Sequence, residues 1–525
     1  MRKTVKKLTA VGLTVTSVLG LVACGSSKGT TSQGTSENKE VTKPDTFTVM
    51  CDGTVVTETN GAEAFYKQLN EATGLDIKWT RPDHASYYDA VANAFNSDDT
   101  MPDVVLLSSD YYALYASNGF LWNMTDAWEH SETKNSGRLI STADNVLSAL
   151  MVNGEDGTKA MYGLSLYRGN GCCTYVKKAW LDKAGIDASK VKDVQMDFNT
   201  YYGYLKQMAQ TMGHYVISSP GFIHPEAPNT NYLPEFYQKA QYTFYKDTSG
   251  KYVDGFAQQE MKEALQRIQT AVNDVVIDKE SVNNSTAKAR DKFYSTDPST
   301  ETGVVTYWAG TLANTLKTNL ANKGLDDELI ASKPIKELGA YTERIAPCWC
   351  ITSAAKKPEG IFKYFIDKML DGGDVQMLWT HGAKGTHWDD KAETVTVEKK
   401  EDQPKTYTEG QFHYLPGIEK PDQWQTKNHI DPILSIANFT NGYVGESLIP
   451  EVARENGEFL AENSQVAVPL PMTSELSNNI GDINTARTYV IAQVALGYMT
   501  VDEGMDYYNK TVGSLSNAVL KSLNK

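Results

Sequence analysis

Cysteine is scarce, with six residues in a chain of 525. Cys24 stands apart, and Cys51, Cys172, Cys173, Cys348 and Cys350 form an odd set that cannot all pair internally. Neither the vicinal pair at 172–173 nor the Cys-x-Cys at 348–350 has zinc-site spacing. Buried, unbridged small hydrophobes are therefore expected, with a bridge between the two clusters as the alternative. Long apolar runs are missing beyond the first two dozen residues; nothing later approaches the about 18–20 apolar residues of a membrane-spanning helix. Positive charge is in deficit: 50 Lys and Arg face 65 Asp and Glu, a formal net charge of −15. That balance argues against nucleic acid and anionic lipid headgroups as partners. The Gly-x-Ser-x-Gly, His-Glu-x-x-His and P-loop patterns are absent, which removes common hydrolase, metalloprotease and nucleotide-site signatures. No tandem repeat is visible.

What is present begins with the N-terminus. Arg2, Lys3, Lys6 and Lys7 precede an apolar, uncharged stretch from Leu8 to Ala23, the pattern of a secretion signal. Leu21-Val22-Ala23-Cys24 resembles the lipobox of bacterial lipoproteins, in which the cysteine is acylated and the signal is cut just before it. Several acyl chains on one residue anchor stably, since each buried CH₂ contributes about 0.8 kcal/mol and one chain is marginal. Residues 25–45 are small, polar and free of aromatics. Such a segment cannot bury enough apolar surface to fold and reads as a tether.

The remaining chain is long enough for more than one core. Phe47 to Cys51 reads as a strand, Ala62 to Thr73 as a helix capped by Gly74, Leu75 to Trp79 as a strand, Tyr87 to Phe95 as a helix, and Met101 to Leu107 as a continuous buried strand. This β-α-β-α-β order implies an α/β sheet with helices on its faces. Further on, Gly303 to Trp308 reads as a second buried strand, and residues 484–509 as two helical stretches split at Gly497. Tyrosine (29) and tryptophan (9) outnumber phenylalanine (15). Rings with polar handles suit surfaces that stack on sugar C–H faces and hydrogen-bond hydroxyls; a tyrosine-rich surface without a ligand is the alternative.

Taken in order, EATGLDIKW (71–79), MPDVVLL (101–107), YGLSLYRGNGCCTYVKKAWLDKAGID (162–187), GVVTYWAGT (303–311) and HGAKGTHWDD (381–390) resemble the long LipO/LplA-like lipoprotein branch of bacterial extracellular solute-binding protein family 1. The resemblance implies a two-lobed α/β fold of the periplasmic-binding-protein type, with a ligand cleft between lobes joined by crossing hinge strands. It implies a signal peptide at 1–23, a lipidated Cys24 and tether at 24–45, a first lobe at 46–165 plus 303–345, a second lobe at 166–302 plus 346–440, and a C-terminal helical segment at 441–525. It further implies a monomer on the outer face of the cytoplasmic membrane that takes an oligosaccharide to an ABC permease, with no enzymatic role and no cofactor. Many relatives carry an Asp/Asn-rich calcium loop where this chain reads Gln210 to Tyr215. That stretch has no carboxylate, so calcium, which needs about six to eight oxygen ligands, is not implied here.

Ligands of open α/β sheets sit beyond the carboxyl ends of strands, which selects the candidate residues. Asp52 follows the first strand and either faces the ligand or closes a turn with Gly53. Asp110 and Tyr111 follow the third; Asp110 either grips sugar hydroxyls through charge-assisted bonds or caps a helix. Tyr167 and Arg168 lie at the first crossing, where Arg168 either forks to hydroxyls or closes a salt bridge. Trp308, at the end of its strand beside Gly310, is the leading stacking platform. Trp349 is either a platform or a core residue. Trp379, His387, Trp388 and Trp424 surround or follow the glycine signature, His387 being read chiefly as a structural hydrogen-bonder. Two other readings compete: a surface glycosidase or lyase, which would need paired carboxylates at a defined separation, and a binder of peptides or other solutes on the same scaffold.

Overall fold

The computed structural model describes residues 41–55, 61–168, 170–223, 231–325, 327–395, 405–416, 430–439 and 449–525. Cys24 and Trp424 lie outside the described residues, as does the side chain of Asp110.

The first five-stranded sheet has the order β2-β1-β3-β9-β4: β1 (Thr46–Met50), β2 (Asp76–Thr80), β3 (Val104–Leu107), β4 (Gly163–Ser165) and β9 (Cys348–Ile351). Strands β1, β2 and β3 are parallel, as the βαβα order requires. Helix α1 (Ala62–Thr73) buries Phe65 and Leu69 and stops at Gly74, whose φ of 63° is the left-handed conformation of a helix C-cap. All four residues of β3 are buried. Helix α2 (Tyr87–Ala94) links β2 to β3, and α3 (Ser109–Ser117) follows β3.

The second sheet has the order β6-β5-β8-β10, with β7 also paired to β5: β5 (Asn170–Lys177), β6 (Val304–Trp308), β7 (Leu329–Ala331), β8 (Tyr341–Arg344) and β10 (Ser464–Val466). The expected division of the chain is corrected here. Residues 303–345 do not join the first lobe, because β6 hydrogen-bonds along β5 from Val304↔Val176 to Trp308↔Cys172. Within the expected 346–440, β9 joins the first sheet between β3 and β4, and Ile430, Ile436 and Ala437 sit in the first core rather than the second. The C-terminal helices are part of the second lobe rather than a segment laid over both. Helices α8 (Ser474–Ala495) and α9 (Val501–Leu523) place Ile483, Val490, Tyr508 and Val512 in the second core. They are pinned there by Asp254, which accepts from Arg487 (2.9 Å), Tyr508 (2.6 Å) and Ser516 (2.6 Å). Arg487 is fully buried among the rings of Tyr242, Phe244, Phe256 and Tyr508, which compensates a guanidinium that water no longer solvates.

Three stretches lie between the two sheets: 166–168, 345–347 and 431–437. They are tied side by side. Tyr167 bridges Ser435, the Arg168 N–H donates to the Leu434 carbonyl, and Ser165 Oγ donates to the Ala346 carbonyl at 3.1 Å. Among the described residues no helix is long and apolar enough to cross a membrane.

Candidate functional site at the crossing edge

Strand direction puts the carboxyl ends of β1, β3 and β4, and those of β6 and β8, at the edges from which the crossing stretches leave. A polar and aromatic grouping stands there. Trp308 ends β6 half-buried, and the Arg344 guanidinium, at the end of β8, lies 4.7 Å from its ring centroid, within cation–π range. Gly310 follows with φ 67°; a Cβ there would come to 3.2 Å from Leu434, so glycine lets the 431–435 stretch close onto the Trp308 turn. Asp431 is buried and closes that stretch by accepting from the Ile433 N–H at 2.9 Å. Tyr167 is half-buried beside both charges: burial pushes its hydroxyl up to about 12, Arg344 opposes the shift and Asp431 adds to it. Trp308, Arg344, Tyr167 and Asp431 thus come from β6, β8 and two crossing stretches into one place. A flat ring, a fork of N–H donors, a hydroxyl and a carboxylate can together hold a polyhydroxylated solute.

A second aromatic surface stands at the end of β3. Tyr111 stacks on Tyr88 with centroids 3.8 Å apart and planes 5° from parallel. Tyr88 is fixed from behind because its hydroxyl accepts from the Ser108 N–H at 2.8 Å.

Other expected site residues are committed elsewhere. Asp52 is 2% exposed and closes its own turn, accepting from Thr54 N (2.9 Å) and Thr54 Oγ1 (2.7 Å), with His84 Nδ1 at 2.6 Å. The turn alternative is the one realised. Arg168 forms a buried ion pair with Glu343 at 2.9 Å and donates to the Ala461 carbonyl at 3.0 Å, so the salt bridge prevails over the hydroxyl fork. For Trp349 the core alternative is the one realised, and Trp379 is corrected from a ligand-binding residue to core: they are 1% and 0% exposed, edge-on to each other at 5.6 Å and packed on Phe365 and Phe65. No ring face is left for a ligand. His387 is buried and accepts from the Ala383 N–H at 2.7 Å, holding the glycine turn. Trp388 donates to the Gly382 carbonyl at 2.9 Å and carries Phe412 on its ring at 5.0 Å. All five described cysteines are buried and none is bridged to another.

Arg344, Asp431 and Tyr88 escape the sequence reading. Arg344 ends a short alternating stretch just before Pro347, and Asp431 precedes Pro432, but neither signal says that the two stretches meet.

Comparison with known proteins comes down to shape. No protein-family model and no curated relative matches this sequence. Solved structures do match. An HMO-binding, ABC-transporter-associated solute-binding protein from Bifidobacterium longum infantis superposes with a TM-score of 0.59 at 14% identity, over 92% of this chain and 98% of that one. An N-glycan transport solute-binding protein from Streptococcus pneumoniae gives 0.58 at 16% identity, over 91% and 98%. An extracellular solute-binding protein family 1 member from Alicyclobacillus acidocaldarius gives 0.56 at 13%, over 91% and 100%. The fold is that of the two-lobed periplasmic binding proteins.

Proposed function

We propose that this chain is the solute-binding component of an ABC importer, lipid-anchored through Cys24 on the outer face of the cytoplasmic membrane, and that it captures an oligosaccharide between its lobes without altering it chemically. The observation that carries the reading is the meeting of Trp308, Arg344, Tyr167 and Asp431 at the crossing edge. The full-length likeness to sugar-transport binding proteins supports the choice of ligand class. Ligand that touches both lobes favours the closed arrangement by its differential affinity, and the closed form then docks on the permease. Tyr88 and Tyr111 serve as the first lobe's stacking surface, and Trp308 as the second's.

Calorimetric titration of the purified chain with neutral and acidic oligosaccharides, with short peptides as a control, tests this. Micromolar or tighter binding of one glycan class, with no cleavage product by chromatography, is expected. Binding of peptides alone removes the sugar assignment, and cleavage of the glycan removes the transport role.

A further inference from the structure

A hollow in the second lobe borders the Trp308 site. It reaches β5 at Cys172, the residue directly across the ladder from Trp308, so the two side chains share one face of the sheet. Thr342, on β8 at the other flank of β5, lines it as well. The outer wall is the short helix α4 (Pro234–Tyr237) and the loop behind it, which contribute Tyr237, Gln238, Gln241 and Tyr242. Asn231 completes it.

Three features of this hollow point to a ligand of one chemical class. None of the side chains that line it carries a formal charge, in a chain of which 22% is charged. The one acid close behind is Glu235, itself buried. Burial pushes its carboxyl up, and Tyr341 Oη lies 3.0 Å from Glu235 Oε1 and 2.8 Å from the Ser332 carbonyl. Secondly, the polar groups offered are amides: Asn231 uses its Oδ1 on the Leu233 N–H, which leaves the NH₂ to donate, and Gln241 donates to the Lys239 carbonyl at 3.3 Å, which leaves its oxygen to accept. The Tyr237 hydroxyl is spent on the Phe222 carbonyl at 2.9 Å, so that residue presents ring surface.

The third feature is strain. Gln238 has φ 55° and ψ −117°, the angles of the first central residue of a type II′ turn, where glycine belongs. Its N–H is held by the Pro234 carbonyl at 2.7 Å. Glycine would remove the strain, so the side chain is retained against a local cost, and such costs collect at binding sites.

We infer that this hollow is a second sugar subsite, that Gln238 and Asn231 are its specificity-determining residues, and that the ligand is consequently an uncharged oligosaccharide whose rings occupy the Trp308 platform and the hollow together. The inference rests on the solute-binding reading above. Within the hollow a uronate or sialyl group would meet no countercharge, and at the platform Arg344 is accompanied by Asp431 of opposite charge, whereas ring hydroxyls and acetamido groups find amide donors, acceptors and aromatic faces.

The test is a calorimetric comparison of wild type, Gln238→Gly, Asn231→Ala and Trp308→Ala. The neutral probes are maltotetraose, chitotetraose and lacto-N-tetraose; the acidic probes are tetragalacturonate and sialyllactose. The tightest ligand is expected to be neutral. Gln238→Gly should melt no lower than wild type, because glycine relieves the turn, yet bind that ligand at least tenfold more weakly, and Asn231→Ala should weaken binding in the same direction. An acidic tightest ligand overturns the inference. So do wild-type affinities in both Gln238→Gly and Asn231→Ala while Trp308→Ala binds weakly; in either case the solute-binding reading stands. If no probe binds, or Trp308→Ala binds as wild type does, the underlying reading fails and the subsite falls with it.

Discussion

Trp349 and Trp308 both belong to strands next to a crossing, both carry an indole, and their fates are opposite. Trp349 sits on β9 in the middle of the first sheet, with strands on both sides, and its ring packs into a cluster with Phe365 and Trp379. Trp308 is the last residue of β6 at the edge of the second sheet, followed by a glycine turn, and its ring keeps Arg344 for company at 4.7 Å. The contrast shows that a tryptophan near a crossing stays half-exposed when its strand ends there at a sheet edge and the next residues are small, and becomes core when its strand is flanked on both sides. The tryptophan cluster holds the first lobe together, and the Trp308 edge stays half-exposed.

Substitutions sharpen this contrast. The largest effect should come from Trp379→Ala, which removes a fully buried indole and leaves a cavity. A loss of about 3–5 kcal/mol in unfolding free energy is expected, read from urea denaturation, and a loss under about 1 kcal/mol would move Trp379 out of the core. Arg168→Met comes next, because it strands buried Glu343. Breaking a buried pair costs about 3–5 kcal/mol, here toward the lower end, since Arg168 Nε and Nη1 have no hydrogen-bond partner to lose. The double replacement Arg168→Met, Glu343→Met should recover much of that loss, because the desolvation cost goes with the charges. Trp308→Ala, at a half-buried edge, should change stability by about 1 kcal/mol or less. The smallest effect is on thiol chemistry. Burial pushes the Cys51 and Cys173 thiols up to about 12 and the Cys348 and Cys350 thiols well above their ordinary value. Iodoacetamide at pH 8 should therefore leave these four unmodified in the native chain and alkylate them in urea, as followed by mass spectrometry; rapid native labelling would contradict their burial.

The local architecture of the first sheet is legible in the sequence, because β1, β2 and β3 alternate or run apolar at strand length and Gly74 marks the end of α1 at a position only a left-handed residue fills well. Which sheet a strand joins is not legible. Val304–Trp308 and Cys348–Ile351 read equally well as strands of either lobe, and long-range hydrogen bonding alone assigns them. The site is legible in the same measure. Trp308 stands out by its place before Ala309-Gly310, but Asp431 and Arg344 carry no periodic signal, and the contact between their stretches spans most of a lobe in sequence. Asp52 illustrates the reverse difficulty. An acid after a strand looks the same whether it awaits a ligand or accepts from Thr54 two residues on, and only the fold distinguishes the two.

If the ligand meets the crossing edge and not the buried tryptophan cluster, calorimetric titration of Trp308→Ala beside Trp349→Phe, with the oligosaccharide that binds wild type most tightly, should separate the two indoles. An affinity at least tenfold weaker is expected for Trp308→Ala, about 1.4 kcal/mol or more, and an affinity near wild type for a folded Trp349→Phe. Wild-type affinity in Trp308→Ala would contradict this and remove the crossing edge as the binding site.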